Sequence, residues 1–147
     1  MNPIKLPKQP VSVLVLLHDS NGRVLLLERA DKPGFWQSVT GSIESGETLY
    51  ETACREVLEE TGITLSNGQL IDRKESRLYE IYAHWRHRYA PGITHNTEHW
   101  FSACIAPDTS IKLSKEHLNW CWLNAQEAAE KVFSPSNKEA ILSLKSI

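Results

Sequence analysis

The sequence predicts a single α/β domain over residues 1–147, on three observations. The length is about one domain's worth, enough for a real core, and no shift in composition marks a second unit. Short apolar runs of strand character recur along the chain, at residues 11–17, 24–27, 97–106 and 120–123. Capped helix patterns alternate with them, the strongest at residues 48–62.

Residues 1–10 contain Pro3, Pro7 and Pro10 and form an extended lead-in rather than a helix. Lys5 and Lys8 in this lead-in are either solvated or within reach of a bound phosphate. Residues 11–17 are nearly all apolar, as in a strand covered on both faces. Ser20-Asn21-Gly22 is a hairpin turn, residues 24–27 return as a strand, and Arg29 closes it. The guanidinium fork of Arg29 suits phosphate as well as a surface ion pair. Residues 30–38 read as a loop whose Phe35-Trp36-Gln37 either plugs a core or walls a pocket. Val39 and Thr40 make a short strand that delivers Gly41.

The helix that follows has well-marked ends. Thr48 and Glu51 form a capping box, and Gly62 is placed for a left-handed stop. Tyr50, Ala53, Cys54, Val57, Leu58 and Thr61 recur at three- and four-residue spacing and are expected to face a core. Beyond the helix, Ser66-Asn67-Gly68 turns into a strand around Ile71. Residues 78–87 then alternate, with Tyr79, Ile81, Ala83, Trp85 and His87 expected inward and Glu80 and Tyr82 on the other face. That face is either solvated or a specificity surface, since Tyr stacks on flat rings and Glu80 accepts ring N–H donors. Residues 88–92 form a loop, and residues 97–106 a strand rich in aromatics.

Four histidines, His84, His87, His95 and His99, share no metal-binding spacing. Residues 108–116 are polar and end in Glu116, a carboxylate that is either solvated or completes a metal site; Glu98 is the competing candidate. After the strand at 120–123, Asn124 with Glu127 caps a short helix and Ser136 with Glu139 caps the last, with Ser134-Pro135 between them.

Glu56, Glu59 and Glu60 stack at i+3 and i+4 spacing on the final turns of the main helix. Each pair repels by roughly 0.2–0.5 kcal/mol, and all three stand at the negative end of the helix dipole. A divalent cation reverses the sign of each of these terms. An all-oxygen set without Cys or His favours Mg²⁺, or Mn²⁺ as a substitute, over zinc. The alternative is a solvated acidic face that aids solubility.

The rest of the stretch decides between them. Gly41, Glu47, Arg55, Glu56, Val57, Glu59, Glu60, Gly62 and Ile63 match G-x5-E-x7-R-E-U-x-E-E-x-G-U without a mismatch, U being a bulky aliphatic residue. On this pattern over residues 41–63 the chain resembles the Nudix hydrolases. The resemblance implies a mixed β-sheet sandwiched between helices (α/β/α) and metal-dependent hydrolysis of a diphosphate linked to another group. It places Glu56 and Glu60 on the principal metal ligands and Glu59 on a further ligand or water-orienting position. Glu47 and Arg55 become supports of the loop, as an ion pair, and Thr40 stands beside the metal. Many members have a second glycine after the first; here it is Ser42.

Residues 35–42, 86–98 with Trp100-Phe101, and Glu116-His117-Leu118 with Trp122-Leu123 resemble one branch of the family, the dihydroneopterin triphosphate pyrophosphatases of folate biosynthesis. The branch implies release of pyrophosphate from 7,8-dihydroneopterin triphosphate. Glu56, Glu60 and Glu116 would hold Mg²⁺, and Glu59 or Glu116 would take the proton of the attacking water. Lys8, Arg29, Thr40 and Ser134 would meet the triphosphate, and Tyr79, Glu80, Ile81 and Tyr82 would line the pterin side. Two alternatives stay open: a pyrophosphatase for modified nucleoside triphosphates, and a non-catalytic Nudix module that only binds a ligand.

A net charge of -2 gives no polybasic footprint for nucleic acid. The longest early apolar run is too short to cross a membrane and lacks a cleavage pattern. Cys54, Cys104 and Cys121 lie in apolar runs without C-x-x-C spacing, so they read as reduced core residues of a cytoplasmic protein. The expected partner is a small triphosphate; no obligate protein partner is inferred.

Overall fold

The structure is a computed structural model that describes residues 6–144. Lys5 lies outside these residues. Seven strands form one mixed sheet: β1 (Val11–His18), β2 (Arg23–Arg29), β3 (Trp36–Gln37), β4 (Val39–Ser42), β5 (Leu70–Glu80), β6 (His95–Cys104) and β7 (His117–Asn124). The order is β3-β2-β1-β6-β5, with β4 added beside β1 and β7 beside β2. β1 runs parallel to β6 and antiparallel to β4, so its ladder groups are satisfied on both edges.

The unbroken apolar run of β1 follows from cover on both faces. Val13, Val15 and Leu17 pack with Ala53 and Val57 of helix α1 (Leu49–Thr61). Leu14 and Leu16 pack with Trp100 and with Ala128, Ala129 and Ile141 from α2 (Ala125–Lys131) and α3 (Pro135–Leu142). The result is a sheet between one helix and two, the α/β/α arrangement. Within the described residues, no helix is long and apolar enough to cross a membrane.

Several local expectations are corrected. The buried stripe of α1 is Thr52, Ala53, Val57, Glu60 and Thr61, while Tyr50 and Leu58 are exposed. The helix is rotated so that part of its acidic face, and not only its apolar face, meets the sheet. Residues 78–87 do not continue as one strand. β5 ends at Glu80, and Ala83–Arg88 form a 3-10 helix. There the Trp85 ring packs against Tyr82, His84 and Phe133 under the guanidinium groups of Arg29 and Arg88, contacts that a flat strand would pull apart. Trp36 and Gln37 are not loop but a two-residue strand on β2. The last helix starts earlier than Ser136: Ser134 is its N-cap and accepts from the Asn137 N–H, with Pro135 in the first turn, where its missing N–H costs nothing. Glu139 is used elsewhere, in an ion pair with Arg77. All three cysteines are free; Cys54 and Cys121 are partly buried and pack against the core, but Cys104 is exposed and is not the core residue expected.

Candidate active site

The end of β4 and the last turns of α1 meet at Gly41. A side chain at this position would collide with the Glu56 carboxylate. Glycine is therefore what lets strand and helix close with Glu56 between them. Glu60 lies one turn further on, only 4% exposed, and its Oε1 has no hydrogen-bond partner. Burial pushes the Glu60 carboxyl well above the usual carboxylate range, and hydrogen bonding and repulsion from Glu56 push the same way; the Thr40 main-chain N–H opposes them. Glu56 is also raised by burial, with Arg55 opposing. Buried carboxylates side by side are costly without a counter-charge.

His117, at the start of β7, faces this pair, with Nε2 at 3.7 Å from Glu60 Oε1. Burial lowers its pKa, and its Nδ1 is unpartnered. A neutral imidazole does not supply the missing charge. The donor set fits a hard divalent cation: oxygen ligands, buried, one of them orphaned. Glu56 and Glu60 are the two that could hold such an ion as they stand. No cluster of three or more His, Cys, Asp or Glu side chains placed to hold an ion occurs among the described residues. Glu59 is exposed and ion-pairs with Arg55 at 3.2 Å, and Glu116 stands exposed on the wall of the adjoining cavity.

Arg55 organises the loop before the helix. It meets Glu47 through Nε at 2.6 Å, Glu56 at 2.7 Å and the Ser42 carbonyl through Nη2 at 3.0 Å. Hydrogen bonding from Arg55 holds the Glu47 carboxyl down at about 2, and the same contacts raise Arg55. Glu47 also accepts from the Thr52 hydroxyl and the Glu44 N–H. The loop is thus tied to the helix through groups that are mostly shielded from water.

Beside the carboxylates opens a cavity of about 1230 Å³. Its walls bring together Lys8, Arg29, Thr40 and Ser134 with Tyr79, Glu80, Ile81 and Tyr82, as well as Glu60 and Glu116. Lys8 arrives because its N–H bonds the Arg88 carbonyl and its backbone bridges to Tyr89. Loss of water around its ammonium lowers the Lys8 pKa, as does Arg88, while Glu56 and Glu116 raise it. Arg29 lies over the Trp85 ring, bonds Gln37, and forms a two-point ion pair with Asp31 at 2.7 Å. That contact, with Arg88 assisting, holds Asp31 down at about 2. The Thr40 hydroxyl donates to the Val13 carbonyl. Alternation along β5 and the turn after it leave Glu80 and Tyr82 exposed but Ile81 buried, and Tyr79 partly buried.

Glu98 also lines the cavity, buried at 4% exposure. Burial raises its pKa. It stands on β6 beside Ser12 of β1, with β1 between it and Thr40 of β4, whose main-chain N–H meets Glu60. Phe133 and Asn137 are wall residues to which the sequence gives no pointer. They come from a loop and a helix start, and no spacing rule links such positions. His117 is visible only as the neighbour of Glu116.

The NUDIX domain family matches residues 8–144. The chain is 48% identical over 140 residues to the dihydroneopterin triphosphate diphosphatase of Escherichia coli (strain K12), covering 93% of each chain. It is 47% identical over 135 residues to the Haemophilus influenzae protein of the same name, covering 90% of this chain and 84% of that one. The solved structure of the E. coli dihydroneopterin triphosphate pyrophosphohydrolase superimposes with a TM-score of 0.89 at 47% identity, over 95% of this chain and 97% of that one.

Proposed function

The chain belongs to the NUDIX family, and we propose that it is a pyrophosphohydrolase converting 7,8-dihydroneopterin triphosphate to dihydroneopterin monophosphate and pyrophosphate, a step of folate biosynthesis. The similarity to enzymes named for that substrate extends over nearly the whole length of both chains. The observation that carries the chemistry is Glu60, buried beside Glu56 with an unpartnered oxygen at the edge of a large cavity. We take residues 1–147 to act as one domain. The exposed free thiol of Cys104 suits the reducing cytoplasm.

The family works with a divalent metal, and we assign Mg²⁺, with Mn²⁺ as a substitute, to Glu56 and Glu60, with Glu116 brought in from the cavity wall. When bound, the ion neutralises phosphate charge and lowers the pKa of a water molecule. Glu59 or Glu116, both exposed, would accept the proton of the attacking water. Gly41, Glu47 and Arg55 hold Glu56 in place. Lys8 and Arg29 orient the triphosphate by charge, and Ser134 and the Thr40 segment by hydrogen bonds. Tyr79, Glu80, Ile81 and Tyr82 flank the ring.

The test is pyrophosphate release with Mg²⁺, comparing dihydroneopterin triphosphate with the common nucleoside triphosphates at matched low concentration. A preference of about a hundredfold in kcat/KM, or ~2.7 kcal/mol of transition-state discrimination, is expected. A flat profile would move the function to clearance of nucleoside triphosphates. No metal-dependent release from any of them would leave only a ligand-binding module.

A further inference from the structure

The cavity has a second buried carboxylate, Glu98, on the other side of β1 from Thr40. Glu98 sits on β6 beside Ser12 of β1, whereas Thr40, which faces Glu60, sits on β4 beside Leu14. Two residues along β1 and two strand spacings across it separate the Cα atoms of Glu98 and Thr40 by about 12 Å. A fused ring joined to its first phosphates by a short polyol or sugar spans such a gap.

Glu98 is built into its place. Its Oε1 accepts from the Trp100 indole N–H at 3.2 Å. Among the described residues no Lys, Arg or His pairs with it. Arg77, its cross-strand neighbour, is occupied by Glu75 and Glu139. Tyr79 lies nearby on the cavity wall, its hydroxyl raised by burial and by the Glu98 charge. Beneath it Asn96 donates to Ser12 at 2.7 Å and keeps a buried Oδ1 without a partner. Glu98 is thus a buried acceptor with no cationic partner, on a wall that also carries Lys8, Arg29, Arg86 and Arg88.

We propose that Glu98 is the specificity-determining residue that reads the substrate's ring, its carboxylate accepting both the ring N–H and the exocyclic amine of a 2-amino-4-oxo pyrimidine edge. Two parallel N–H donors match the two oxygens of a carboxylate. Adenine presents an acceptor at the corresponding ring nitrogen, and hypoxanthine lacks the amine, so each leaves a buried oxygen unpaired. Guanine shares the edge with dihydropterin. This assignment rests on the substrate class proposed above. It also removes Glu98 from the list of metal ligands and bases.

The experiment measures kcat/KM of the Mg²⁺-loaded enzyme and its Glu98→Gln variant on dihydroneopterin triphosphate, GTP and ITP, with a Mg²⁺ titration of each. Gln keeps an acceptor for Trp100 but turns one carboxylate oxygen into a donor. The expected result is a loss of about tenfold or more on dihydroneopterin triphosphate and GTP, with ITP and the Mg²⁺ midpoint within about twofold. Equal loss on GTP and ITP, or a displaced Mg²⁺ midpoint, would overturn the assignment. The wild type gives an independent readout: GTP must exceed ITP by about tenfold, and equal rates overturn the assignment even if the variant fails to fold. A wild type that prefers GTP to ITP but not dihydroneopterin triphosphate to GTP would support the ring-edge assignment and remove the pterin substrate.

Discussion

Gly41 and Glu56 occupy adjoining space so closely that a methyl group on the one would stand in the carboxylate of the other. The Gly41 backbone is not in the left-handed region, so alanine is conformationally allowed there and only the carboxylate has to move. Gly41→Ala should leave the circular dichroism spectrum unchanged and reduce kcat/KM by about a hundredfold, the scale of a misplaced active-site group. Wild-type activity in that variant would mean that the position of Glu56 is immaterial.

Glu60 is buried, unpartnered and raised in pKa. A carboxyl whose folded pKa lies above its unfolded value stabilises the fold below about pH 4.5 and loses that contribution as pH rises through the folded value. The metal-free protein is therefore strained at neutral pH, and Glu60→Gln removes the strain. In EDTA the variant should unfold at a higher temperature than the wild type at pH 7. With Mg²⁺ the wild type should gain stability and the variant little, while turnover drops by two or more orders of magnitude, on the order of losing a principal metal-assisted step. Thermal scans with and without Mg²⁺ check all three.

Glu47 titrates the other way. Its folded pKa is held near 2 by Arg55, so its contribution is complete above about 4.5, its ordinary value, and fades as pH falls toward 2. Arg55 stays charged throughout. The stability difference between wild type and Glu47→Gln, measured by urea unfolding in EDTA, should be constant from pH 7 to 5 and shrink below pH 4. A difference independent of pH would assign the effect to the Thr52 and Glu44 contacts instead.

Asp31 holds Arg29 in a two-point ion pair and touches Arg88. If Arg29 meets phosphate as proposed, a triphosphate entering the cavity would compete with that carboxylate. Arg29→Ala should raise KM about tenfold or more, the loss of one charge-assisted phosphate contact, with the Mg²⁺-linked thermal shift intact. Asp31→Asn should lower KM or leave it unchanged. A KM unaffected by loss of Arg29 would remove it from phosphate binding.

How far the sequence reaches is shown by particular residues. Thr48, Glu51 and Gly62 cap α1 as their local chemistry requires, because cap bonds join residues at most four apart. The unbroken apolar run of β1 correctly implies cover on both faces. Failures occur where a distant group takes over. Trp85 leaves the strand alternation because Phe133, Arg29 and Arg88 pack around it. Tyr50 and Leu58 stay exposed because α1 rotates to press Glu60 against β4 and His117.

The sequence by itself determines the family pattern and which carboxylates share a helix face, since each rests on spacing along the chain, and the α/β/α arrangement follows only through the family resemblance. Only the tertiary structure decides that Glu60 is buried without a partner, that Arg29 is bound to Asp31, and that Glu98 stands across β1 from Thr40. The reason is physical: burial and through-space charge depend on distances between residues that the chain order leaves free, and those distances set what each carboxylate can do.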